Sequence, residues 1–203
     1  MELTSHNSVA VLAFEPDTGY PRLTRPVLAE LDELLSEISC SGLFQGVVIA
    51  ANRRAFAAGA SVEEVSAVAG VAARDFAVVG QLLFNRIADF RLPIVAAIRG
   101  YCLGGGLDLA LACHARVATY DACFGHPGVS LGLVTGWGGT QRLPRLIGRA
   151  AAIQLFLTAE QVPASQALTL GLVDELIPSA DLIEAAARRA GSVILSAAKH
   201  LGS

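Results

Sequence analysis

Lysine is nearly missing from this 203-residue chain: Lys199 stands alone beside fourteen arginines. Charged residues of every kind make up 16%, below the quarter or so of an ordinary soluble domain. With apolar residues at 53%, that scarcity excludes intrinsic disorder, which needs low hydrophobicity and high net charge. A formal net charge of −3 offers no broad basic surface, so no nucleic-acid partner is expected. Long apolar runs are missing too. The runs at 9–14, 46–50 and 94–98 are strand-sized, far below the roughly 18–20 residues that span a bilayer, so no membrane partner is expected. MELTSH carries no basic stretch ahead of the first apolar run, so no secretory leader is expected.

Metal and redox signatures are equally scarce. Cys40, Cys102, Cys113 and Cys123 show no CxxC spacing and lie among apolar neighbours, which predicts buried free thiols and a reducing, cytoplasmic compartment. His6, His114, His126 and His200 make no HxxxH or HExxH pattern, so no zinc site is expected. GxGxxG is absent from the first strand and GxxxxGK[ST] from the whole chain. Nicotinamide and P-loop nucleotide cofactors are therefore not expected.

What is present is an alternation of strand-like and helix-like segments. Strands are predicted at 9–14, 46–51 and 94–98, in neighbouring positions of a sheet buried on both faces. Shorter ones are expected at 115–119, near Phe124 and at 172–177. The turn Glu15–Gly19 ends the first strand. Thr24 is a candidate cap for a helix carrying Leu28, Leu31, Leu34, Leu35 and Ile38 at helical spacing. A second helix is predicted near 71–90 with Phe76, Val79, Leu83, Ile87 and Phe90 on one stripe. Others follow near 138–147, 149–157, 163–170 (closed by Gly171) and 180–199. Strands alternating with helices favour an α/β protein with a largely parallel sheet.

Two glycine clusters interrupt this pattern, at 100–108 (GYCLGGGLD) and 132–140 (GLVTGWGGT). Glycines gathered this way mark tight turns or close approach of backbone to another group. The first cluster joins a strand to an apolar helix, so free amide groups at a positive helix end would face an anion or a developing oxyanion. Asp108 begins that helix. It either carries proton transfer, with a pKa raised by apolar surroundings, or stabilises the helix N-terminus.

The whole stretch 92–176, with Arg54-Ala-Phe-Ala-Ala-Gly-Ala60-Ser61 upstream, resembles the signature region of the enoyl-CoA hydratase/isomerase (crotonase) superfamily. The resemblance keeps motif order and spacing from about Val9 to Ala198, through the segments GTQRL and GLVDEL. It implies one domain over 1–203, a spiral of ββα units that binds an acyl-CoA thioester with no separate cofactor. It also implies a homotrimer or a pair of trimers. By position, an oxyanion hole falls on the amides of Ala60 and Gly105, with Ala58, Gly59, Gly104, His126, Gly128 and Trp137 lining the substrate site.

The departures from the family pattern concern chemistry. Hydratases of the family carry two glutamates twenty positions apart; here the corresponding residues are Asp108 and Gly128, in Phe124-Gly-His-Pro-Gly128. Asp121 is the other acid between 90 and 159 and is expected in an exposed turn. His126 could supply the missing function or serve as a structural histidine. Trp137 is expected to pack against the acyl chain. Ser61 replaces the usual aspartate of AGAD, Tyr20-Pro-Arg-Leu replaces the usual segment near the adenine, and the C-terminal helices of relatives are expected to be absent. The default reaction is 2-enoyl-CoA hydration. Alternatives are an acyl-CoA-binding or assembly paralogue with little turnover, a hydrolase, or a bicarbonate-assisted synthase.

Overall fold

Valine, isoleucine, leucine and alanine run almost unbroken along the buried strands, so that alternate residues enter two different apolar layers. The computed structural model describes residues 1–14, 19–51 and 55–192 in full and, for 193–200, the helical backbone alone. The chain opens with β1 (Glu2–His6), β2 (Val9–Phe14), α1 (Arg25–Ser41), β3 (Gly46–Ala51), β4 (Ala55–Ala57), α2 (Val62–Ser66) and α3 (Gly70–Ala88). It continues through β5 (Ile94–Ile98), β6 (Tyr101–Leu103), α4 (Gly105–Ala112), β7 (Ala115–Thr119) and β8 (Cys123–Gly125). After a 3₁₀ turn at Pro127–Leu131 come α5 (Gly139–Ile147), α6 (Arg149–Thr158), β9 (Val162–Pro163), α7 (Ala164–Thr169), β10 (Glu175–Ile177) and α8 (Leu182–His200).

The strands form two sheets, one of six in the order β1-β2-β3-β5-β7-β10 and one of four in the order β4-β6-β8-β9. From β2 to β10 the larger sheet is parallel, with β1 added antiparallel at its edge. The predicted strands at 9–14, 46–51 and 94–98 are neighbours there. Val9, Val11, Val48, Ala50, Val95 and Ala97 face α8, whose Leu182, Ala185, Ala186 and Ala190 cover them. Leu12, Phe14, Val47, Ile49, Ile94 and Ile98 point the other way into the main core, against Leu31 and Leu35 of α1 and Phe84 and Ile87 of α3. Each of the pairs β3/β4, β5/β6 and β7/β8 gives one strand to each sheet. This repeated pattern is the α/β spiral implied by the resemblance.

Caps and turns fall where the residues require them. Thr24 Oγ1 accepts from Val27 N–H at 3.4 Å, with Pro26 in the first turn of α1. Gly171, past the end of α7, takes φ +74. Several expectations need correction. Val79 is 48% exposed, and Gly80 and Phe84 take its place on the buried stripe of α3. Cys40 is exposed and Cys123 only half-buried, whereas Cys102 and Cys113 are buried as free thiols. Polar β1 lacks the apolar run that signals a strand, and α2 is a single turn. The strand expected over 172–177 is confined to its last three residues, because Leu172 N–H and Val173 N–H close the end of α7 instead. Residues 15–18 of the predicted turn and Arg54 lie outside the described residues. Among those described, no helix is long and apolar enough to cross a membrane.

Candidate active site

Three short parallel strands end side by side in the smaller sheet. β4 pairs with β6 through Ala57 and Cys102, and β6 with β8 through Leu103 and Gly125. The residues after their C-terminal ends are therefore brought together: Ala58–Ala60 after β4, Gly104 and Gly105 after β6, and His126 after β8. The segment 21–23 stitches the first of these loops in place, with Ala58 N–H donating to Pro21 O at 2.8 Å and Leu23 N–H to Gly59 O at 2.9 Å.

Gly59 takes φ +99, and a Cβ there would lie 3.1 Å from Leu103 O and 3.3 Å from Gly105 N. Only glycine lets the two turns approach this closely. An ideal Cβ on Gly105 would lie 3.3 Å from Ala60 N. Since a Cβ stands about 2.5 Å from its own nitrogen, the Ala60 and Gly105 nitrogens lie within about 6 Å of each other. That is no more than about twice an ordinary N–H···O length, so one oxygen between them is within reach of both amides. Gly105 opens α4, where the first amides have no partner within the helix.

One turn along α4, on the same face as Gly105, Asp108 is fully buried. Its Oδ2 accepts from Thr135 Oγ1 and from Trp137 N–H at 3.3 Å. The carboxyl is thus turned to the second glycine cluster, and α4 has no side-chain cap. Asp108 Oδ1 has no hydrogen-bond partner among the described residues and lies 3.6 Å from His126 Nε2. His126 is 3% exposed, neither of its ring nitrogens has a partner among the described residues, and its ring packs against Phe156 at 5.0 Å between centroids with a 40° tilt. Burial pushes the Asp108 carboxyl up to about 6, against the pull of its bonds to Thr135 and Trp137 and of the Arg142 charge. Burial also pushes the His126 imidazole down to about 4. Near neutral pH the pair is a carboxylate beside a neutral imidazole.

Trp137 is 3% exposed and wedged between two glycines. A Cβ on Gly80 of α3 would overlap its indole, and one on Gly105 would lie 2.5 Å from its Cζ3. Phe76 and Phe84 enclose it at 5.3 and 5.6 Å between ring centroids. The indole edge therefore packs directly against the Gly105 backbone. Arg142 holds this loop from α5, donating to Trp137 O at 3.1 Å and Asn85 Oδ1 at 2.6 Å.

Gly128 is half-buried in the 3₁₀ turn, and a Cβ there would start 3.2 Å from Leu133 O. Asp121 is exposed. Ser61 caps α2, accepting from Glu64 N–H at 3.3 Å. Two contributors escaped the sequence reading, Gly80 and Arg142, while Gly139 of the second glycine cluster packs so closely that a Cβ there would overlap Asp108 Oδ1. A lone glycine inside the apolar stripe of a helix was the available signal for the first. A surface cleft of about 320 Å³, between Ser5, Ala50, Arg99 and Leu182, is lined by neither Asp108 nor His126. Among the described residues no three His, Cys, Asp or Glu side chains gather as a metal site.

The sequence profile of the enoyl-CoA hydratase/isomerase family matches residues 4–202. The chain belongs to that family. It is 42% identical over 185 residues to the fatty acid oxidation complex subunit alpha of Shewanella loihica, covering 89% of this chain but only 26% of that protein. The chain thus spans about a quarter of that relative's length. It is 34% identical over 196 residues to the short-chain-enoyl-CoA hydratase of Clostridium acetobutylicum, covering 96% of this chain and 75% of the hydratase. Among solved structures it resembles an enoyl-CoA hydratase from Bacillus anthracis, with a TM-score of 0.89 and 30% identity over 95% of this chain and 76% of that one. Pseudomonas aeruginosa DspI gives a TM-score of 0.89 at 31% identity, over 95% and 79% of the two chains. These neighbours fix the crotonase fold.

Proposed function

We propose that this crotonase-family chain is an enzyme that binds an acyl-CoA thioester and adds water to a 2-enoyl-CoA. The observation that carries the reading is the buried Asp108 carboxyl, one oxygen without a partner, a turn from the Gly105 amide. The Ala60 and Gly105 amides would take the thioester oxygen as negative charge develops on it; such a donor is worth about 2.7–4 kcal/mol in a water-excluded site. Asp108, ionised above about pH 6, would draw the proton from the attacking water and return a proton to the carbon next to the thioester carbonyl. No cofactor enters this scheme beyond the coenzyme A of the substrate. Ala58, Gly59 and Gly104 shape the turns, and Trp137 would bound the acyl end.

A second reading has support from Gly128. With no carboxylate at that position, a protein that holds acyl-CoA without turning it over would keep the amide pair and lose the chemistry. Incubation with crotonyl-CoA and a 3-enoyl-CoA separates the two, with thioester absorbance and product masses followed over time. Hydration is expected for the wild type, and Asp108→Asn should lower its rate by roughly 10² or more. Binding without product formation would favour the second reading.

A further inference from the structure

We propose that His126 Nε2 and Asp108 Oδ1 together hold the water that adds to the acyl chain, so that His126 takes over the positioning role left open by glycine at 128. This rests on the hydration reading for its place in the reaction. The binding site itself rests on geometry.

Buried polar atoms without partners are rare, because each forfeits its bonds to water and gains none in return. Of the four such side-chain atoms among the described residues, three belong to this pair: Asp108 Oδ1, His126 Nδ1 and His126 Nε2. At 3.6 Å, Oδ1 and Nε2 are too far apart for a bond to each other. A third atom about 2.8 Å from each fits between them, at an angle of about 80° that bends both of its bonds slightly. The chemistry of that atom follows from the two facing groups. A carboxylate accepts and does not donate, and we place the proton of the neutral imidazole on Nδ1, so that Nε2 accepts. A molecule that donates twice from one small atom satisfies both, and water does so.

The surroundings agree. His126 follows β8 as Gly105 follows β6, so the pair lies beside the amide that would take the thioester oxygen. Phe156 of α6 packs against the imidazole at a 40° tilt, covering it from one side. The groups that face the pair from neighbouring elements are few. Arg142 of α5 adds positive charge toward Asp108, and the thiol of Cys102 on β6, raised by burial and by the Asp108 charge, stays neutral. Thr135 and the Trp137 amide occupy Oδ2, which leaves Oδ1 for the water.

In the reaction the water oxygen bonds to the β-carbon, and its O–H bond toward Asp108 breaks, leaving the proton on Oδ1. The electron pair of the carbon–carbon double bond moves to the thioester oxygen, held by the two amides. Asp108 then gives its proton to the α-carbon and returns to carboxylate. His126 accepts the second O–H throughout and ends as acceptor to the product hydroxyl. One water has been added and no proton is left over.

The test pairs a high-resolution crystal structure of the wild type with kinetics of His126→Phe, which keeps a ring against Phe156, and His126→Gln, which keeps an acceptor. The expected structure has a water within about 3.2 Å of both atoms. His126→Phe is expected to lower kcat for crotonyl-CoA hydration about 100-fold with the dissociation constant for butyryl-CoA unchanged within threefold, and His126→Gln to recover most of that loss. A direct protein bond to Nε2 with no shared water, a Phe variant as fast as wild type, or a Gln variant no better than Phe would each overturn the proposal. A bound water in a wild type that hydrates nothing would uphold the site and sink the hydration reading instead. A hydrating wild type with a dry gap would do the reverse.

Discussion

Asp108 and His126 oppose each other in their effect on stability. A carboxyl whose pKa rises on folding to about 6 favours the fold fully at low pH and loses that advantage as pH climbs from about 4 to 6. An imidazole pushed down to about 4 favours the fold above about pH 6.5 and loses that advantage as pH falls toward 4. In the wild type the two slopes run against each other, so melting temperature should vary little over that window on their account. Asp108→Asn should leave the histidine slope alone, with stability rising by about 3 kcal/mol between pH 4 and 6.5. His126→Phe should show the opposite slope. Denaturant melts across pH read both, and parallel slopes in the two variants would refute the assignment. Sequence reading reached Asp108 but left its role open. What it could not supply was the partner loop: nothing in the spacing of 108 and 135–137 says that Thr135 and the Trp137 amide turn the carboxyl away from the helix end.

Among the elements, legibility followed apolar content. The strands at 9–14, 46–51 and 94–98 were readable because both faces of the larger sheet are covered, which makes their residues continuously apolar. β1 is polar and α2 one turn long, so neither carries a period. α3 shows how a tertiary contact overrides pattern: Val79 fits the helical stripe, yet Gly80 faces inward because the Trp137 indole occupies the space a side chain would need. Gly80→Ala therefore tests the packing directly. Propensity alone would favour alanine in a helix by about 1 kcal/mol. Displacing a buried, aromatic-clamped indole should outweigh that gain, for a net loss of roughly 1–3 kcal/mol and a lower melting temperature. If the alanine variant melts higher than wild type, the indole is not held there.

At the scale of the whole molecule, apolar surface remains uncovered. Leu131 and Val134 beside the 3₁₀ turn and Ile153 and Leu157 on α6 are 48% to 78% exposed, a pattern that marks association surfaces. Sedimentation at micromolar concentration is expected to show a trimer or a pair of trimers, and substitution of Val134 and Leu157 by charged residues to shift it toward monomer. A wild-type monomer would mean that these faces meet something else.

The candidate site also hangs from unequal supports. The strands that carry Ala60, Gly105 and His126 are three residues long, while the parallel strands behind them run to five or six. Few ladder bonds guard each short strand, so the smaller sheet should open locally at much lower free energy than the larger one. Amide deuterium uptake should therefore be biphasic, with β4, β6 and β8 exchanging early and β3 and β5 only on global unfolding. A thioester clasped by two of those turns would close the breathing sheet, and added acyl-CoA should slow the early phase while leaving the late one untouched.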